Sequence, residues 1–268
     1  MGRAGVATAA GPAKQCPDKA APGGWPIRPF TRGRPGRILG FRCWLVVAKR
    51  MEAVTVFGAR YSVYVRSVRL ALEEKQIPYR LEEVDVFAPG GPPPALLQRH
   101  PFGRIPAFEH RRATDTVAIY ETAAILRYVD EAFDGPALQP HIALPRARMN
   151  QVLGILDNYA YRCLVWDIYV ERVSRPAQGR PSDEARIASA LPQARTCLRA
   201  LAGLMQEGPW FTGPQLTLAD LHAASVFAYF VQAAEAPDLL AGHDNLCRWW
   251  AEMSRRDSMI RTPFESGE

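Results

Sequence analysis

Three short stretches of the chain put polar groups where a bound molecule would meet them. In "YSVYVRSVRL" Ser62 stands at a helix N-cap position, just after the strand-like "AVTVF". Its hydroxyl either satisfies an orphan backbone N–H or is presented to something bound there. In "HPFGRIPAF" Pro106 follows Ile105 immediately before a strand. A proline cannot donate to a central ladder, so this one implies an edge, a bulge or a special peptide geometry. A cis Ile105–Pro106 bond would turn the N–H and C=O of Ile105 outward, where an extended peptide can pair with them. In "IYETAAI" Glu121 and Thr122 lie at a strand-to-helix junction, whose open N–H groups favour a carboxylate. Taken singly, each has an ordinary explanation as a cap or a turn. Their order along the chain is what carries information.

The elements that must hold these residues alternate. "AVTVF" at 53–57 is a strand, 63–75 an amphipathic helix, and "IPYRLEEVDV" a second strand. The Pro/Gly loop "APGGPPP" leads into a short helical piece at 95–99. "RIPAFEH" and "TVAIY" read as a closing hairpin, and "ETAAILRYVDEAF" as a helix with Ala124, Ile125, Tyr128, Val129 and Ala132 on one face. The order β-α-β-α-β-β-α is an α/β unit of about eighty residues. From residue 144 strand grammar ends, and helical runs at 146–172, 183–206, 217–233 and 243–255 form an all-α bundle. The expected domains are 51–134 and 144–268, joined by a linker at 135–143. One junction is sharply marked: in "QLTLADLHAA" Thr217 and Asp220 form a capping box, with Leu216 and Leu221 as a hydrophobic staple. That role is structural and starts a helix that should run through the core.

The net charge of +6 is unevenly spread, because ten of the 33 Lys and Arg lie in the first fifty residues against one acid, Asp18. The remainder is mildly acidic, so nothing in it favours nucleic acid. The basic, Gly/Pro-rich stretch 1–50 fits a transit-type segment, or an appendage ahead of a start at Met51; the second is the expectation. "ILGFRCWLVVA" is too short to span a membrane and is interrupted by Arg42. Five scattered cysteines without a C-x-x-C pair argue against a disulfide framework or structural zinc, and fit a reducing, cytoplasmic setting. The five histidines have no metal-ligand spacing, so no metal is expected.

In this order the chain resembles a glutathione transferase. The resemblance spans 53–255 and rests on "S-x-x-x-R-x-V-R" at 62–69, "PFGRIPAF" at 101–108, "YETAAILRYVDE" at 120–131 and "LTLADL" at 216–221. It implies a thioredoxin-like first domain, a helical second domain, a cytosolic homodimer and glutathione as co-substrate. The residue matching the one that touches the glutathione sulfur is Ser62, so the chain is similar to the serine classes (theta, phi and zeta-like bacterial enzymes). Tyr61 and Tyr64 are rival donors whose register fits less well. The resemblance further implies that Ile105, before Pro106, pairs with the cysteinyl unit. Glu121 and Thr122 would hold the γ-glutamyl end, and Arg104 the glycine carboxylate. Ser62 would then favour the thiolate at the positive end of its helix, as a donor more than a cap.

Three departures stand out. Val63 follows the serine where relatives often have Pro, Gln76 closes the first helix where Gly is common, and the loop 109–116 is long and carries Arg111 and Arg112. A small apolar electrophile is expected between the domains, against the first long helix of the bundle. Tyr159, Trp166 and Tyr169 recur there at near-helical spacing, a pattern that core or dimer packing also produces. Two alternatives use the same fold. One is glutathione-dependent peroxide reduction, dehalogenation or isomerisation; the other is a non-catalytic glutathione- or ligand-binding scaffold.

Overall fold

The computed structural model describes residues 53–205 and 208–263, which lie within one compact unit. The expectations for residues 1–50 fall outside the described residues. Four strands, β1 (Ala53–Phe57), β2 (Tyr79–Glu82), β3 (Ala107–Arg111) and β4 (Thr116–Tyr120), form one mixed sheet in the order β2-β1-β3-β4. β2 runs parallel to β1 through the crossover helix α1 (Val63–Glu74); β3 and β4 are antiparallel. The short α2 (Pro94–Leu97) and α3 (Thr122–Ala132) complete the thioredoxin-like order read from the sequence.

β2 is shorter than its alternating sequence suggests. "EVDV" continues the period, but β1 ends at Phe57, and past Glu82 the pairing dwindles to Val84 N–H on the Gly58 carbonyl (3.3 Å). Gly58 is required by close approach: a Cβ there would overlap Val65 and come within 3.2 Å of the Ile105 Cβ. The hairpin turn is also tighter than expected, because β3 extends to Arg111. Only 112–115 form the loop, closed by the Arg112 guanidinium on Asp115.

α1 buries one whole side: Val65, Val68, Leu70, Ala71 and Leu72 are fully enclosed. It ends in a Schellman geometry, with Ile77 N–H on the Leu72 carbonyl (2.9 Å) and Gln76 N–H on that of Glu73 (3.0 Å). The cost falls on Gln76, which takes the left-handed conformation at φ 57°.

The second half is helical. α4 (Ala143–Ile155) continues without a break into a more widely wound π-helical stretch, Leu156–Ser174, and a last turn at Arg175–Ala177. Then come α5 (Glu184–Leu204), α6 (Leu218–Phe230), the short α7 (Ala236–Leu240), α8 (Asp244–Met253) and α9 (Asp257–Arg261). Every residue of α6 is buried, as befits a helix apolar all round. Its capping box is the buried polar node of this half. The Asp220 carboxylate accepts from Thr217 N–H and hydroxyl (2.8 Å each), Phe211 N–H (2.9 Å) and the Trp249 indole (3.0 Å). No helix among the described residues is long and apolar enough to cross a membrane.

α1 packs against α6 and α3, which joins the two halves. Ser67 Oγ lies 2.8 Å from His222 Nδ1 on α6, and His222 Nε2 lies 2.9 Å from Asp157 on the π-helical stretch. Ser67 and His222 are both enclosed. At its far end α1 is tied down from the C-terminal side, with Glu74 held by Arg256 (2.7 and 2.8 Å) and Ser258 (2.5 Å).

Candidate active site

Ser62 sits at the N-cap of α1 in extended conformation (φ −81°, ψ 124°), and its Oγ accepts from Val65 N–H at 3.3 Å. The cap function expected as the plainer alternative is therefore present. It does not exclude the other: a hydroxyl that accepts through a lone pair still has its own proton to give. The half-buried Ser62 thus offers one O–H donor at the positive end of a twelve-residue helix.

The Ile105–Pro106 peptide bond is cis. Of the three geometries a proline here implied, the structure takes the special peptide geometry, at the entrance to a central strand. Ile105 lies ahead of β3, and its N–H and C=O have no backbone partner among the described residues. An extended segment can therefore pair with them. Its side chain is partly buried and packs against both core clusters.

Glu121, like Gln76, is a non-glycine residue at positive φ, with φ 72° and ψ 114°. A non-glycine residue there costs about 1–3 kcal/mol and persists where function or surroundings demand it. Its side chain is not used to cap α3, and the N–H groups of Thr122 and Ala123 have no acceptor among the described residues. The start of α3 is thus an open donor pair suited to a carboxylate. Arg104, one residue before Ile105, is exposed, and its charge is felt by Tyr64 and Tyr161.

Next to Ser62 runs a chain of aromatic ring contacts that sequence periodicity did not bring together. Tyr61 stacks on Phe87 (centroids 5.9 Å), and Phe87 meets Trp166 edge-on (6.2 Å). The Trp166 indole N–H turns toward the Tyr161 hydroxyl, and Tyr161 packs edge-on against Tyr64 at 4.6 Å. The arc begins and ends on residues flanking Ser62. Of the three aromatic residues expected here, Trp166 lies in this arc. Tyr169 is buried against Tyr229 (5.0 Å), and Tyr159 is 55 % exposed. Phe87 and Tyr161 emerge only from the fold, while Tyr61 and Tyr64, read from the sequence as rival donors, are found as ring contacts instead. The spacing of Tyr161 and Trp166, five residues apart, is the signal that a π-helical winding makes meaningful. A separate open groove of about 810 Å³, lined by Arg60, Arg69, Glu73 and Tyr79 among others, does not include Ser62.

A thioredoxin-like domain with a cis-proline before its third strand, followed by a helical second domain, defines a two-domain fold class. Family models agree. The N-terminal domain of glutathione S-transferases matches residues 61–132 and the C-terminal domain residues 157–257. Similar proteins include a glutathione S-transferase of Arabidopsis thaliana, 27 % identical over 76 % of this chain and 94 % of its own length. A stringent starvation protein A homolog of Pasteurella multocida is 24 % identical over 80 % and 92 %. Among solved structures, a glutathione transferase of Populus trichocarpa superposes with a TM-score of 0.67 at 26 % identity, covering 78 % of this chain and 96 % of its own. The chain belongs to the glutathione S-transferase family.

Proposed function

We propose that this protein is a serine-class glutathione transferase that ionises the glutathione thiol at Ser62 and directs it onto a small apolar electrophile. The observation that carries the reading is the unspent Ser62 proton at the N-terminus of α1. A free thiol ionises near pH 8.5, so little of it is a thiolate at neutral pH. One hydroxyl donor and a helix N-terminus both favour the charged form, and each unit of pKa depression is worth about 1.4 kcal/mol. In this reading the cysteinyl unit pairs with the Ile105 backbone ahead of Pro106. The γ-glutamyl carboxylate meets the open N–H groups at Thr122, Glu121 takes the α-amino group, and Arg104 takes the glycine carboxylate. The aromatic arc receives the electrophile, with Trp166 from the expected set and Tyr159 and Tyr169 farther from the sulfur. We place the protein in the cytoplasm as a detoxifying homodimer, with exposed apolar side chains such as Phe102, Ile142 and Leu144 available for the pairing. No metal enters the chemistry.

The test is thiolate absorbance of bound glutathione against pH, in wild type and Ser62→Ala. The wild type should ionise glutathione well below its free pKa, and the substitution should raise the bound value by about one to two units. Binding without any shift in the wild type would leave a glutathione holder, the non-catalytic alternative.

A further inference from the structure

Two buried cysteines touch each other across two helices. Cys163, in the π-helical stretch, and Cys197, on α5, are 2 % and 3 % exposed, and their Sγ atoms stand 3.9 Å apart. Core packing requires no such pairing, since a cysteine packs alone as a small hydrophobe. The two sulfurs are also unequal. Cys197 Sγ faces the Cys163 S–H and accepts from the Gln193 side-chain amide at 3.7 Å, and these two donors hold its thiol below the ordinary range against burial. Cys163 is pushed up, by the Cys197 sulfur first and by burial second. Its S–H also lies 3.6 Å from the Ala160 carbonyl. Gln193 is exposed, so the pair sits one side chain beneath the surface. Beside it Pro192, inside α5, has no N–H to return to the Ala188 carbonyl, and that turn of the ladder is short of a hydrogen bond. Ala160 and Ala194, fully enclosed one turn before each cysteine, keep bulk out from between the helices.

We infer that Cys163 and Cys197 form a dithiol site that a small hydroperoxide oxidises to a disulfide, stapling the π-helical stretch to α5. Cys197 attacks the hydroperoxide: an S–O bond forms as the O–O bond breaks. The departing oxygen takes the thiol proton and leaves as an alcohol, or as water from hydrogen peroxide. The sulfenic acid so formed faces Cys163. The Cys163 sulfur then forms the S–S bond, the S–O bond breaks, and the hydroxide leaves as water with the Cys163 proton. Two thiols have lost two electrons, and one hydroperoxide has gained them. A second thiol already in contact favours this closure over further oxidation of the sulfenic acid. The staple falls between Tyr161 and Trp166 and closes the chain from 163 to 197 into a loop. In a reducing setting such a pair opens and closes with the supply of oxidant and is not a permanent brace of the fold.

The experiment treats the whole reduced chain with hydrogen peroxide, alkylates the remaining thiols in denaturant and maps the peptides by mass spectrometry. Wild type should yield one joined peptide pair, through Cys163 and Cys197, and dithiothreitol should restore both thiols. Cys247→Ala, which removes the exposed cysteine of the described residues, should form the same link. In Cys163→Ala, dimedone should trap a sulfenic acid at Cys197, whereas Cys197→Ala should leave Cys163 a thiol. Cys163 and Cys197 both still alkylated after Cys247 has been consumed would overturn the assignment. So would either of them recovered chiefly as a sulfinic acid or in a link to another cysteine. These outcomes are read in wild type, so they decide the matter even where an alanine variant fails to fold.

Discussion

Asp220 gives the sharpest test of how the helical half is held. Its carboxylate is wholly enclosed and takes four hydrogen bonds, two on each oxygen: Phe211 N–H and the Trp249 indole on Oδ1, Thr217 N–H and hydroxyl on Oδ2. In Asp220→Asn one oxygen remains, facing Phe211 and Trp249, and an NH2 group replaces the other. The Thr217 hydroxyl can rotate and accept from that NH2, but the Thr217 backbone N–H cannot, so one buried donor is orphaned. A buried donor without a partner costs about 1–3 kcal/mol, and exchanging charged for neutral hydrogen bonds adds to it, for a total near 3 kcal/mol. Asp220→Ala orphans Phe211, Thr217 and Trp249 together and opens a void, so about 5 kcal/mol is expected. Urea unfolding followed by helical circular dichroism reads both values. Equal losses for Asn and Ala, or a loss under 1 kcal/mol for either, would refute the hydrogen-bond accounting. The pH dependence adds a second arm. Burial, the largest influence, pushes the carboxyl from 3.8 up to about 6 against the pull of its four donors. Between those values the folded state holds the proton more often than the unfolded state. The group's stabilising contribution is therefore complete below about pH 4 and lost as pH rises through 6. The gap between wild type and Asp220→Asn should widen on going from pH 7 to 4.5. A gap that narrows would mean the four donors outweigh burial.

Two further substitutions follow from backbone conformation. Gln76→Gly relieves a left-handed residue at the end of α1 without removing a side-chain contact the fold relies on, and should raise stability by about 1 kcal/mol in urea. Glu121→Gly should also stabilise the fold by about 1 kcal/mol, because φ 72° suits glycine. It should at the same time weaken glutathione binding at least tenfold, measured by calorimetry; a variant both more stable and equally avid would remove Glu121 from the site.

Much of this fold was legible because its signals are local. β1 and β4 coincide with "AVTVF" and "TVAIY", where period-two alternation is bounded by turn residues. Thr217 and Asp220 fixed the start of α6 by hydrogen-bond geometry that four residues contain. The length of β2 was not legible, since it depends on where β1 ends, more than twenty residues earlier. The wall of the cleft was hidden for a different reason. Residues at 159, 166 and 169 align on an ordinary helix, whereas winding over Leu156–Ser174 brings side chains five apart together. Arg162 and Asp167 pair this way at 3.1 Å. Nothing in composition announces that winding. Phe87, in the loop after β2, had no pattern to place it at all.

The packing of α1 bears on how this molecule can be taken apart. The helix that presents Ser62 takes part of its polar partners from the other half of the chain. Ser67 leans on His222, and Glu74 is gripped by Arg256 and Ser258. The buried Arg66 reaches the Met259 carbonyl at 3.4 Å. Cut away from the helical half, the thioredoxin-like part would face water with a stripe of valine and leucine interleaved with stranded polar groups. It is therefore not a transplantable module. α1 and the bundle share these contacts, so a change deep in α6 or α9 reaches Ser62 through shared stability even where no atom beside Ser62 moves.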